Sequence, residues 1–403
     1  MMKSWNVWLI FSTFLLSILG TLLTRSGIVS SVHAFAQSSI GNWFTAFLVI
    51  VFCVCLFTFF KQRGHLISEN KLESLVSRES SFLFNNLLFL VACFTVLWGT
   101  LLPVLSEYFT GSKVTIGAPY YNRVMLPLGL SILFLMGVGP LLAWRSTSLK
   151  SIRRNFVLPC IVIVVTAITL MLSGVRPWHA DADAQSEIFS LVAFSLGLGV
   201  FASISSEFVR GAGVVRTQTG KNIFASMLLL IRRNTRRYGG YIVHFGVVVI
   251  FIGIAGGAFN QSKEMEMGFH DSLTLGSYTV ICQSFSQDSN PNFDTEYALL
   301  DVLHNGKKIT QLAPERRFYN ASQQTSTVVA DHSTLARDLY VIYEGKNPDT
   351  DRPIIKVFLN PLIAWIWIGV GVIVFGTFVA LIPKLEPVTV RESLPAKTEA
   401  THA

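Results

Sequence analysis

The 403-residue chain is 51% apolar and 14% charged, with a mean hydropathy of +0.51. Soluble domains carry about 25% charged residues, so this composition excludes a cytosolic enzyme and a disordered chain and describes an integral membrane protein. The net charge of +8, from 32 Lys and Arg against 24 Asp and Glu, lies mostly in short connections between apolar stretches. It therefore bears on orientation in a bilayer, and no nucleic-acid partner is expected.

A spanning helix needs about 20 mostly apolar residues, at about 1.5 Å each across a hydrocarbon core of about 30 Å. Eight stretches satisfy this, roughly 5–24, 40–60, 82–105, 124–144, 156–173, 188–206, 240–259 and 357–382. The first has no small-residue cleavage site and runs on into a loop with Arg25, so it is read as a retained helix. Trp5, Trp8, Trp43, Trp144, Trp365 and Trp367 fall near span ends, where indoles suit the interface. The run 224–231 lies between basic clusters and is too short to cross; it is expected along the cytoplasmic interface, against anionic lipid.

The connections after the second, fourth and sixth spans hold Lys61, Arg63, Lys71, Arg78, Arg145, Lys150, Arg153, Arg154, Arg210, Arg216, Lys221, Arg232, Arg233, Arg236 and Arg237. Those after the first, third and fifth hold only Arg25, Lys113 and Arg176. By the positive-inside rule both termini are cytoplasmic, and the long segment between the last two spans faces the periplasm or its equivalent.

That segment alternates apolar and polar residues in SYTVICQSF, EYALLDVLH and RDLYVIYEG, a period of two that predicts strands. Asp288–Pro291, His304–Lys307 and Gly345–Pro348 read as turns, and Asn305-Gly306 predicts a tight hairpin. The fold class expected is an all-α polytopic membrane protein of about eight transmembrane helices with one small periplasmic β-rich domain between the last two. The divisions are 1–259 for the seven-helix membrane domain, 260–356 for the β-rich domain, 357–383 for the eighth helix and 384–403 for a disordered cytoplasmic tail. The five cysteines form no CxxC pair, four lie in apolar runs, and no disulfide framework is expected.

Charged groups are almost absent from the depths of the spans, which weighs against a proton-coupled transporter. The polar exception is His244 in YGGYIVHFGVVVIF. A neutral imidazole in hydrocarbon needs partners for both nitrogens; a metal bond satisfies one, and a hydrogen bond to a neighbouring helix is the plainer alternative. Gly239, Gly240 and Gly246 around it permit close approach of a helix or of a flat macrocycle. His33 lies in LTRSGIVSSVHAFAQSS, an amphipathic stretch just past the first span, where it is either an axial ligand or an ordinary interfacial histidine. His179, beside Asp181 and Asp183, has too few ligands for a metal site, and His270, His304 and His332 are weaker candidates. No nucleophile elbow, phosphate-binding glycine loop, zinc spacing or CxxCH occurs.

Five motifs in this order, ILGTLLTRSGIVSSVHAFA, RRYGGYIVHFGV, PERRFY, RDLYVIY and NPLIAWIWIGV, resemble the C-terminal portion of the CcmF family, the cytochrome c haem lyase subunit, which includes the NrfE-type lyases. The resemblance runs from about residue 5 to 383. It implies a function in cytochrome c maturation: haem is received from a membrane-anchored CcmE-like chaperone and joined to the CxxCH thiols of apocytochrome c, with CcmH- and CcmI-like subunits. It implies that His33 is an axial ligand to the substrate haem, that His244 is an axial ligand to a stably bound haem b, and that a quinol is the electron donor. The family's Trp-rich haem-binding segment, first periplasmic histidine and second transmembrane ligand would lie upstream of Met1. A split subunit completed by a separate chain carrying the N-terminal half, and a truncated reading frame, both follow as expectations. The location implied is the bacterial inner membrane, with the mitochondrial inner membrane as the alternative. A non-catalytic scaffold that docks apocytochrome or partner subunits is the competing function.

Overall fold

The computed structural model describes residues 3–26, 40–67, 74–175 and 184–383. His33 and His179 and the tail from 384 lie outside these. Eight described helices are long and apolar enough to cross a membrane. The chain divides into two compact units, Met1–Cys160 and Ile161–Ala403.

In the first unit α1 (Lys3–Arg25) packs on α2 (Ile40–Gln62). Trp8 and Phe59 meet at 4.7 Å between ring centroids, and Ser4 Oγ donates to the Leu66 carbonyl at 3.2 Å. Helix α3 (Arg78–Thr110) begins at an N-cap, where Ser77 Oγ accepts from the Ser80 amide at 3.1 Å. It crosses α4 (Ala118–Val138) where Gly99 leaves room for the Tyr121 ring; a Cβ there would overlap the hydroxyl oxygen. Arg78 ties the start of α3 to the Pro140 carbonyl, and Asn155 of α5 (Leu149–Leu172) reaches the Leu141 carbonyl at 3.3 Å. These helices expose many large apolar side chains, Phe57, Phe94 and Val165 among them, as lipid-facing surfaces do. An apolar groove of about 490 Å³ lies between α1, α3 and α4, lined by Leu16, Leu23, Phe89, Val96 and Met125.

The second unit holds α6 (Ala184–Thr219), α7 (Ile223–Arg233), α8 (Thr235–Ala255), the β-domain and α9 (Ile363–Leu381). Helix α6 continues well past residue 206, where its apolar run ends, because charged and small residues extend a helix into the interface at little cost. Helix α7 is the short run expected not to span. Asn222 caps it by accepting from the Ala225 amide at 2.8 Å, Leu230 packs on Gly211 of α6, and Phe224 and Leu228 are left exposed.

The β-domain is a sandwich of two antiparallel sheets. One has the order β1 (Gln261–Glu266), β10 (Pro353–Pro361), β9 (Arg337–Lys346), β8 (Ala330–Ser333). The other runs β2 (Ser272–Leu275), β3 (Tyr278–Ser289), β4 (Phe293–His304), β6 (Glu315–Tyr319), β7 (Gln324–Val328), with β5 (Lys307–Leu312) paired to β4. Alternate residues of the long strands, Val280 and Cys282, Leu300 and Val302, Leu339 and Val341, Ile355 and Val357, close one dry core. The Asn305-Gly306 hairpin is a two-residue turn with φ of 51° and 80° between the paired His304 and Lys307, the primed geometry that matches strand twist.

Residues 357–361, assigned above to the last helix, complete β10 instead: Val357 pairs with Val341 and Pro361 with Arg337. Apolar content alone does not separate a core strand from the start of a spanning helix, and alternate burial decides it here. The last helix therefore begins at Ile363.

Candidate functional site

Helix α8 carries His244 and presents three sides. On one, Gly239, Gly246 and Gly253 recur every seven residues and meet α9 backbone to backbone. A Cβ on Gly246 would lie 2.7 Å from the Gly369 carbonyl oxygen, and one on Gly376 would lie 2.8 Å from the Val243 amide. Such contact needs a stripe of small residues on both helices. On the second side α6 packs through Phe201 against Phe245 at 5.0 Å and through Phe208 against Tyr238 at 5.0 Å, while Ser190 Oγ donates to the Ala255 carbonyl at 3.0 Å.

His244 lies on the third side, in line with Gly240, Val247 and Phe251 by helical spacing. Its side chain is half-buried, and its Nδ1 is buried without a hydrogen-bond partner among the described residues. A Cβ at Gly240 would meet nothing within 4 Å, so the helix is bare one turn from the imidazole. Two turns away, Arg237 donates through Nη2 to Glu207 Oε2 at 2.8 Å and through Nε to the Tyr241 hydroxyl at 3.3 Å. Arg210 takes the other Glu207 oxygen at 2.8 Å, and the Arg237 guanidinium lies 5.6 Å from the Tyr241 ring centroid. This polar cluster closes the Arg-rich end of α6 and α8.

The histidines of the sandwich are not gathered into a site. His270 follows Phe269 in a turn at φ 64°, His304 packs at a tilt on Tyr278 at 4.7 Å, and His332 lies in β8. Among the described residues no three His, Cys, Asp or Glu groups converge as metal ligands. Burial pushes the Cys282 thiol up to about 11 and leaves it an inert core residue. Glu266 is held below the usual carboxylate range by hydrogen bonds from Asn347 and Thr350.

The sandwich carries the most specific likeness. Residues 258–361 match the family described as the CcmF C-terminal beta-sandwich. The chain is similar to the C-terminal portion of CcmF proteins. Over 371 residues it is 30% identical to the cytochrome c-type biogenesis protein CcmF of Pseudomonas aeruginosa, covering 91% of this chain and 53% of that one. It is 29% identical to CcmF of Escherichia coli, covering 94% and 55%, and 27% identical to NrfE of Haemophilus influenzae, covering 92% and 55%. The solved structure of cytochrome c haem lyase CcmF superposes with a TM-score of 0.66 at 22% identity, over 94% of this chain and 55% of that one. The chain spans about half the length of the curated relatives it matches.

The CcmF-like architecture, eight apolar helices with a β-sandwich before the last, is the fold expected from the sequence. The Glu207 cluster is not readable from the sequence. Glu207 falls just outside the apolar run 188–206, and its pairing with Arg237 crosses between helices; the one local signal was the i,i+3 pair with Arg210.

Proposed function

We propose that this chain serves cytochrome c maturation as part of a haem lyase, which takes haem from a CcmE-like chaperone and joins it to the CxxCH thiols of apocytochrome c. CcmH- and CcmI-like subunits act with it, as do the segments that the relatives carry outside the aligned part, on this polypeptide or another. It works in the bacterial inner membrane, with its termini cytoplasmic and the sandwich and His33 on the periplasmic side.

The observation that carries this reading is the state of His244. A buried polar atom without a partner costs about 1–3 kcal/mol, and here the orphaned atom belongs to an imidazole beside a bare stretch of helix. These residues fit a haem b: a neutral imidazole would ligate iron, and the space at Gly240 would admit a flat ring. When bound, that haem supplies one-electron transfer, with a quinol as donor. His244 would hold the group, on the side of α8 that α6 and α9 leave open. Val247 and Phe251, on the same face, keep water from it. His33 holds the substrate haem so that a vinyl group and an apocytochrome thiol meet at reacting distance, where proximity and alignment lower the barrier.

A reduced-minus-oxidised visible spectrum of the assembled lyase tests this. His244→Ala removes the b-type signal while the sandwich melts as in the unsubstituted protein. Full retention of that signal overturns the assignment.

A further inference from the structure

The turn between β8 and β9 is tied to the last membrane helix by two hydrogen bonds: the Leu362 amide donates to the Ala336 carbonyl at 3.0 Å, and Trp365 Nε1 donates to the Leu335 carbonyl at 2.9 Å. The turn is internally closed, since Thr334 Oγ1 accepts from the Arg337 amide at 3.0 Å and donates to the Arg337 carbonyl at 2.7 Å. Yet the Leu335 side chain is 70% exposed. A large apolar residue is thus held out at the tip of a closed turn, beside the start of a membrane helix.

The length of α9 says where that tip lies. At the other end of the helix pair, Thr235 Oγ1 donates to the Ile382 carbonyl at 2.7 Å, and Gly239 lies against Ala380. The Glu207–Arg237 ion pair at this level marks one edge of the hydrocarbon. From Ala380 back to Ile363 the helix rises only about 26 Å, against a hydrocarbon core of about 30 Å. The opposite edge therefore falls at or beyond the first turn of α9, at the level of Trp365 and of the turn bonded to it. Tilt of the helix would set the turn deeper still.

Two exposed basic side chains lie at this end of the sandwich. Arg337, exposed, donates to Ser277 Oγ at 3.4 Å, and the Ser277 carbonyl accepts from the Asn305 amide at 3.0 Å, which brings the hairpin with exposed Lys307 to this end. The turns at the far ends of β3 and β9 carry exposed Asp288, Asp349 and Asp351 together with exposed Lys346 and Arg352, a mixed surface in which Lys346 pairs with Asp351 at 3.7 Å.

We propose that residues 334–337 form a lipid-contacting foot on which the sandwich rests, with Leu335 entering the acyl boundary and Arg337 at the level of the phosphates. A Trp, a Leu and an Arg at one depth form the combination that a bilayer interface favours. The occupant is the phospholipid surface itself, continuous with the lipid that covers exposed Trp367 on α9.

The test places the photoreactive residue p-benzoyl-phenylalanine at Leu335, and in separate variants at exposed Ala336 and at exposed Thr350 in the far turn. The full chain is irradiated in vesicles of phosphatidylethanolamine and phosphatidylglycerol and the peptides are weighed. Phospholipid adducts are expected at 335 and 336 and not at 350. If the probe at 335 unfolds the sandwich, the 336 variant carries the test. Absence of adducts in a sandwich that melts normally overturns the proposal, as do equal adducts at 350 or a protein adduct in place of lipid.

Discussion

Replacing Gly246 by Ala drives a methyl group into α9. The new Cβ would stand 2.7 Å from the Gly369 carbonyl oxygen, 2.7 Å from Ile373 Cγ1 and 2.9 Å from the Ile373 amide nitrogen. Ordinary contact begins near 3.4 Å, so the helices must part by roughly 0.7 Å. Backbone cannot swing aside as a side-chain tip does, and parting the pair also loosens the contacts of Gly239 and Gly376. Overpacking costs about 1–3 kcal/mol, and the upper half of that range is expected here. In a unit of this size that lowers the melting temperature by roughly 5–10 °C. Gly240→Ala is the internal control: its Cβ meets nothing within 4 Å, and the change gains up to about 1 kcal/mol of helix propensity. Thermal unfolding in detergent, followed by a thiol-reactive dye, reads both. Equal melting temperatures for the two variants would refute the close-packed pairing. Gly240→Ala is also expected to lower haem retention without loss of stability, since it fills the bare turn beside His244.

Other outcomes follow from single residues. His33→Ala is expected to abolish covalent haem staining of cytochrome c in vivo with the membrane level of the chain unchanged; normal staining would favour a docking scaffold. Glu266 has a folded-state pKa below its unfolded value, so its contribution to the sandwich is present above pH of about 4.3 and is lost as pH falls through the lower folded value. Melting between pH 7 and 3 should therefore fall less steeply at the acid end in Glu266→Gln than in the unsubstituted protein. Cys282, buried and with its thiol raised to about 11, should resist iodoacetamide at pH 8 in the folded chain and react once the sandwich is unfolded; ready labelling of the native protein would contradict its place in the core.

The spans were legible because hydrocarbon thickness imposes a length that few other structures need, and the hairpin because only Asn and Gly tolerate two successive positive φ angles readily. Helix ends were less legible. Val357 and Leu359 are apolar whether they face a sandwich core or lipid, and only their pairing with Val341 and Leu339 separates the two cases. His244 stood out as a polar residue in an apolar run. That its side of α8 is the one left by α6 and α9 was not readable, because the sequence lists the glycines of each helix but not which stripe faces which. Glu207 and Arg237 are far apart in the chain, and periodicity within one helix says nothing about a partner on another.

The junctions of the sandwich contain almost no slack. Phe259 ends the turn after α8 and β1 starts at Gln261, while β10 ends at Pro361 and α9 starts at Ile363. With α8 and α9 locked through their glycines, the two legs act as a single stiff mast bearing a head without a hinge. A push on the head is thus not absorbed by a linker; it is delivered as torque along the mast, past the turn that holds His244.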